Sequence, residues 1–286
     1  MKTFAAVAGK IALSFIVVLL VSVIVGIVYT IIVVASGTGV EDIESASQNS
    51  LWIQIIQTIL FIASALGMYA LFERKKKWAL GLRQQDGGVM LVHGLLAGIL
   101  LISLSAVLIW AFGGISWTSG EWNSQLTKAL LKGLLLFIFV AVSEEVYSRG
   151  YVQGLIRYHY GSKAAIIVTS LLFALLHSMN PGIFESPLPI INLILAGVIF
   201  GIARELTGGL WWPIGMHLTW NYLQGNIYGF NVSGTIMDDS ILYATDKGPA
   251  WLSGASFGIE GSLISIIMLL AGITAVYFLY RRKSRA

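Results

Sequence analysis

Eight stretches of the 286-residue chain are long and apolar enough to cross a bilayer, which takes about 20 mostly apolar residues. They run over roughly 8–35, 51–72, 89–112, 126–148 or longer, 164–180, 188–205, 209–229 and 259–280. The first is too long for the apolar part of a cleaved leader, and no small-residue cleavage site follows it, so it predicts a retained helix. No internal repeat, low-complexity tract or soluble appendage interrupts the series. The longest loop, about 230–258, is rich in Gly, Ser, Asp and Asn and is expected on the outer surface. The pattern predicts one polytopic domain over residues 1–286, an all-α integral membrane bundle of about eight transmembrane helices.

Composition agrees. Apolar residues make up 57% of the chain and charged residues 11%, with a mean hydropathy of +0.82. A soluble domain carries about 25% charged residues, so a soluble fold is excluded. The absence of cysteine removes disulfides, cysteine-ligated metals and a cysteine nucleophile. The net charge is +4, and its distribution says more than its sum. With the N-terminus inside, all but three of the 18 Lys and Arg residues fall on the inner side. Lys128, Lys132 and Lys247 are the exceptions. The outer loops are acidic, with Glu41, Asp42, Glu44, Glu121, Glu185, Asp238, Asp239 and Asp246. This bias places both termini in the cytoplasm. The run Arg74–Lys77 reads as a topology signal, and no nucleic-acid partner is expected.

Three stretches carry ionisable groups where they are costly, at least ~2.5–3.5 kcal/mol each near the bilayer centre. They are Ser143-Glu144-Glu145-Val146-Tyr147-Ser148-Arg149, Phe173-Ala174-Leu175-Leu176-His177 and His217-Leu218-Thr219-Trp220-Asn221. Glu145 and Arg149 stand at i, i+4 in the order that favours an ion pair. Glu144 is rotated by about 100° and is left to point elsewhere. His217 and Asn221, also i, i+4, share a helix face. Pro213, four residues before His217, predicts a kink there. Matching depths put Glu144 beside His177 only if the fourth helix runs on through Gly150 and Gly154 to about Tyr158. Gly94-x-x-x-Gly98 and Gly197-x-x-x-Gly201 predict close helix packing. Phe173 is expected beneath the site. His93 and His159 are left outside it.

A carboxylate, two imidazoles and an amide away from bulk water suit hydrolysis of an acyl bond. Glu144 would take the proton of an attacking water with His177 holding that water. His217 and Asn221 would donate to the developing oxyanion. A zinc ion on Glu144, His177 and His217 is equally compatible with these residue types. There is no H-E-x-x-H and no G-x-S-G motif, and the five aspartates lie outside the spans, which removes the zincin, serine and paired-aspartate chemistries. A proton-coupled transporter or a non-catalytic immunity or binding protein would use the same groups differently.

The set Glu144-Glu145-x-x-x-Arg149, Phe173-x-x-x-His177 and His217-x-x-x-Asn221 resembles the signature of the CPBP family, the CAAX proteases and bacteriocin-processing enzymes. The similar region, about 125–225, would be the catalytic core. The resemblance implies an eight-helix intramembrane endopeptidase opening toward the cytoplasm. It implies Glu144 as base, His177 as its partner, and His217 with Asn221 as oxyanion or metal-site residues, with Glu145 and Arg149 in support. It further implies CAAX-type processing, peptide maturation or self-immunity acting on a membrane-associated peptide or protein. The compact chain reads as a prokaryotic plasma-membrane protein.

Overall fold

The computed structural model describes residues 2–37, 39 and 50–281. Glu41, Asp42 and Glu44 of the first outer loop, and Arg282, Lys283 and Arg285 of the tail, lie outside the described residues. Helix α1 spans Lys2–Ala35, α2 Leu51–Met68, α3 Gly87–Ala111, α4 Ser124–Glu145, α5 Gln153–Leu176, α6 Leu188–Thr207, α7 Trp211–Tyr222, α8 Ala250–Ser253 and α9 Leu263–Tyr280. Wider π-helical turns extend α2 to Glu73, join α4 to α5 through Val146–Val152, and extend α7 to Ile227.

By length and composition, six of these runs can cross a membrane, which makes the chain a multi-pass membrane protein. Two of the expected stretches, 126–148 and 164–180, share one 53-residue run, Ser124–Leu176, with 177–180 falling in the turn beyond it. That run is broken at Gly161, whose φ of 82° a side chain would oppose. The fourth helix therefore continues through Gly150 and Gly154 to the break, as a convergent site requires. Gly154 also has a packing reason: a Cβ there would stand 2.5 Å from the Trp78 ring. The stretch 209–229 becomes the 12-residue α7 plus its π-helical extension. Pro213 falls in the first turn of α7, where a missing N–H costs nothing, so it opens the helix and produces no kink.

Small residues set the closest helix contacts. A Cβ on Gly94 would meet the Trp212 carbonyl at 2.0 Å, one on Gly98 the Thr219 hydroxyl at 2.1 Å, and one on Gly215 the Leu91 carbonyl at 2.5 Å. Helices α3 and α7 thus touch backbone to backbone, which only glycine permits. Gly197 does the same for α6 against α5, where a Cβ would lie 2.6 Å from the Ser170 Cα. Helix α1 faces outward over most of its length. Polar bonds fasten it: Ser14 Oγ lies 3.0 Å from the Tyr147 hydroxyl, and Ser64 Oγ donates to the Ser14 carbonyl at 2.8 Å.

The two ends of the bundle differ. One gathers the basic residues and the turns before α3 and α7, stitched by Gln84 to the Thr207 carbonyl, Trp211 to the Leu82 carbonyl and Arg157 to Glu205. At the other end, strands β1 (Ile115–Ser119) and β2 (Leu242–Asp246) form an antiparallel ribbon with Trp117 opposite Ala244. The ribbon corrects the all-α expectation in this detail. The 230–258 segment is built from β2, α8 and packed turns.

Candidate active site

The three charged stretches meet at the wall of one cavity of about 1100 Å³. Glu144, His177, His217 and Asn221 all line it, while Glu145 and Arg149 lie behind the wall, fully buried. Glu144 leaves α4 two residues before the helix widens at Val146, and His177 caps the C-terminal end of α5. His217 and Asn221 project from the middle and last turn of α7.

The carboxylate Oε2 of Glu144 lies 4.0 Å from His177 Nε2 and 3.9 Å from His217 Nε2. Among the described residues this oxygen is buried and has no hydrogen-bond partner. Each imidazole is oriented through its other nitrogen. His177 Nδ1 lies 2.8 Å from the Phe173 carbonyl, and His217 Nδ1 lies 3.0 Å from Glu145 Oε1. A carbonyl and an ionised carboxylate only accept, so both Nδ1 atoms carry protons. Neutral His177 then offers Nε2 as an acceptor. His217 can donate from Nε2 only as the imidazolium.

Glu145 is held from its far side by Arg149, whose Nη1 is 3.2 Å from the same oxygen. The guanidinium stacks over Phe173 at 4.2 Å and Phe200 at 5.0 Å, and Phe200 in turn stacks on the His217 ring. Arg149 therefore positions Glu145, Phe173 and, through them, both histidines. The expected division of labour between neighbouring glutamates is present as geometry: Glu145 is engaged through Oε1 by Arg149 and His217, with its Oε2 buried and unbonded behind the wall, and Glu144 faces the cavity.

A zinc ion tests the same atoms. Tetrahedral ligands at 2.0–2.2 Å stand about 3.3–3.6 Å apart, whereas separations of 3.9 and 4.0 Å would force angles of about 145° or more at 2.05 Å bond lengths. A water oxygen at about 2.8 Å from each group subtends an angle near 90°, which a hydrogen-bonded water accepts. Among the described residues, no three His, Asp or Glu side chains make a metal-binding group. As placed, Glu144, His177 and His217 fit a water better than zinc.

Four contributors were not legible in the chain. Phe200 reads as ordinary span residue. Arg204 reads as a topology charge, yet it is 5% exposed and donates Nε to the Arg149 carbonyl at 2.7 Å. Asn180 and Glu260, at the edges of the expected stretches 164–180 and 259–280, line the cavity wall from the turn after α5 and from a single 3₁₀ turn, Ile259–Gly261, before α9. Both hold Ser233, whose φ of 47° is unusual for a residue with a side chain. Asn180 donates to its carbonyl, and Glu260 Oε2 accepts from its N–H at 2.7 Å and its hydroxyl at 2.8 Å. His93 bonds the Tyr280 hydroxyl at 2.8 Å, away from the site.

Fold and site define a polytopic membrane protein with a carboxylate–imidazole cluster buried among its helices. Residues 126–223 match the type II CAAX prenyl endopeptidase Rce1-like family, the one that the three motifs resemble. A protein of Escherichia coli described as an uncharacterized 24.3 kDa protein is 30% identical over 98 residues. That stretch covers 34% of this chain and 43% of that protein, so the similarity spans less than half of the relative's length.

Proposed function

We propose that the protein is an intramembrane endopeptidase that hydrolyses a peptide bond in a membrane-associated protein or peptide. The observation that carries this reading is Glu144 Oε2, unpartnered and facing two oriented imidazoles across a cavity within the bundle. A water between Glu144 and His177 Nε2 donates a hydrogen bond to each, which turns its lone pair toward a carbonyl carbon in the cavity. As the new C–O bond forms, Glu144 takes the proton. Charge develops on the carbonyl oxygen and is met by Asn221 and by His217 as the imidazolium, in surroundings where such donors are most effective. Collapse breaks the C–N bond, and Glu144 returns the proton to the leaving amine. Glu145 and Arg149 keep His217 oriented throughout.

The family match supports the reaction class, and CAAX-type processing, peptide maturation or self-immunity are its candidate settings. The same reading has eight membrane crossings, counting the two within Ser124–Leu176 and the short α7. Both termini are cytoplasmic, in a prokaryotic plasma membrane. The direct test compares peptide termini in membranes and medium from cells making the wild type or Glu144→Ala at equal abundance. New termini seen only with the wild type are expected. Matched profiles, with any immunity phenotype intact in the mutant, would replace the protease by a binding protein.

A further inference from the structure

The cavity's lining is unevenly distributed along the bundle. Its lining on α2 comes from Ile53, Gln54, Gln57, Thr58 and Phe61, all in the first turns of that helix. On α9 it includes only Leu269, near that helix's start, and the rest of its upper wall is Asn180, Pro181 and 232–238. No lining residue lies between 149 and 172 or between 201 and 215. Toward that other end the interior is filled by Arg149, Tyr151, Leu155, Leu210 and Trp212, all at or near zero exposure. The cavity thus runs from Glu144 toward the ribbon end and is closed toward the end that holds Arg74–Lys77, Arg157, Lys163 and Arg204.

Basic residues mark the cytoplasmic side of a multi-pass protein. A cytoplasmic N-terminus, expected from the charge bias, and a site opening to the cytoplasm, implied by the family resemblance, therefore cannot hold together. Tryptophans 52, 110, 122 and 251, each more than half exposed, ring the ribbon end, as an interfacial belt requires. The rim is apolar as well: Ile236 lines the cavity and is 80% exposed, with Met179 at 91% on the neighbouring turn.

Charge narrows the occupant. Among the described lining residues, Glu144, Glu260 and Asp238 are acidic and Lys132 is the one Lys or Arg, with its Nζ 2.5 Å from Asp238. Apart from the two site histidines, no other basic side chain among the described residues lines the cavity, and its surplus of carboxylates disfavours an acidic segment.

We propose that this site is served from the extracytoplasmic side, and that its substrate is a non-acidic polypeptide segment presented at the outer leaflet. A cytoplasmic segment does not fit this direction of opening. The proposal rests on the protease reading for the word substrate, but the direction of opening can be tested apart from it.

Because the chain has no cysteine, single cysteines report sidedness cleanly. Ile236→Cys marks the rim and Lys163→Cys the basic end, and both positions are exposed. In spheroplasts making the full chain, a membrane-impermeant maleimide should label Ile236→Cys before lysis and Lys163→Cys only after it. The reverse pattern would overturn the proposal and leave the protease reading standing. With Glu144-dependent cleavage in hand, the new termini should map to extracytoplasmic segments of the substrate, and labelled Ile236→Cys should lose most of its cleavage. New termini on cytoplasmic segments would also overturn it. Outward labelling with no Glu144-dependent cleavage would keep the direction of opening and remove the protease.

Discussion

Two glutamates in this molecule, one buried and one half-buried, sit in opposite circumstances. Glu73, at the end of the α2 extension, is fully buried, with Lys10 Nζ at 2.5 Å, Lys76 Nζ at 2.8 Å and the Trp78 indole nitrogen at 3.3 Å. Both of its oxygens are used, and the cluster ties α1 to the α2–α3 turn. Glu144 has one oxygen aimed at two imidazoles near 4 Å, too far for a hydrogen bond and suited to a small molecule between. A satisfied buried carboxylate is structure, and an unsatisfied one beside a cavity is a place for chemistry. Burial alone separates the two badly, since Glu73 is the more buried of the pair. The partner count separates them.

The largest effect should come from Glu144→Gln, which keeps the shape and removes the base. Cleavage should fall by about 10²–10⁴-fold while thermal unfolding in detergent stays near the wild type. If Glu73→Gln lowered cleavage per folded molecule as much, the contrast would fail. Asn221→Ala should come next, with kcat falling by about 10²–10³ from loss of one oxyanion donor and KM little changed. An increase in KM alone would make Asn221 a binding residue.

Glu73→Gln should act on stability instead. Removing one partner of a buried pair costs ~3–5 kcal/mol. The two lysines keep 22% and 29% exposure, so about 2–3 kcal/mol is expected after screening by solvent. Thermal unfolding reads this, and cleavage per folded molecule should be unaffected. The smallest effect sharpens the site itself: exhaustive chelation should leave cleavage unchanged. A loss restored by zinc would show that Glu144, His177 and His217 close to metal-ligand spacing in the working enzyme.

Much of the site could be read in the chain because insertion cost makes an intramembrane charge conspicuous. Helical periodicity then separated Glu144 from Glu145, since a 100° step puts one on the Arg149 face and the other off it. The requirement of common depth demanded the long fourth helix, and Gly161 ends it where the structure breaks. Glu260, Asn180 and Phe200 escaped because their meaning depends on what lies opposite. A glutamate in a turn or a span phenylalanine carries no local signal that it will wall a cavity. Pro213 misled for a related reason: its effect depends on where the helix starts, and α7 starts two residues before it.

What the sequence determined by itself was solvent and spacing. Long apolar runs choose lipid, and glycines and i, i+4 pairs choose helix faces, because these depend on residues near one another in the chain. Direction was left to the tertiary structure. The charges separate a basic end from an acidic one and the motifs mark a candidate site, but only helix packing says toward which end the space beside Glu144 opens. The bulk of Arg149, Tyr151, Leu210 and Trp212 fills one end of the bundle and leaves the other hollow, a property of volumes that meet across the fold.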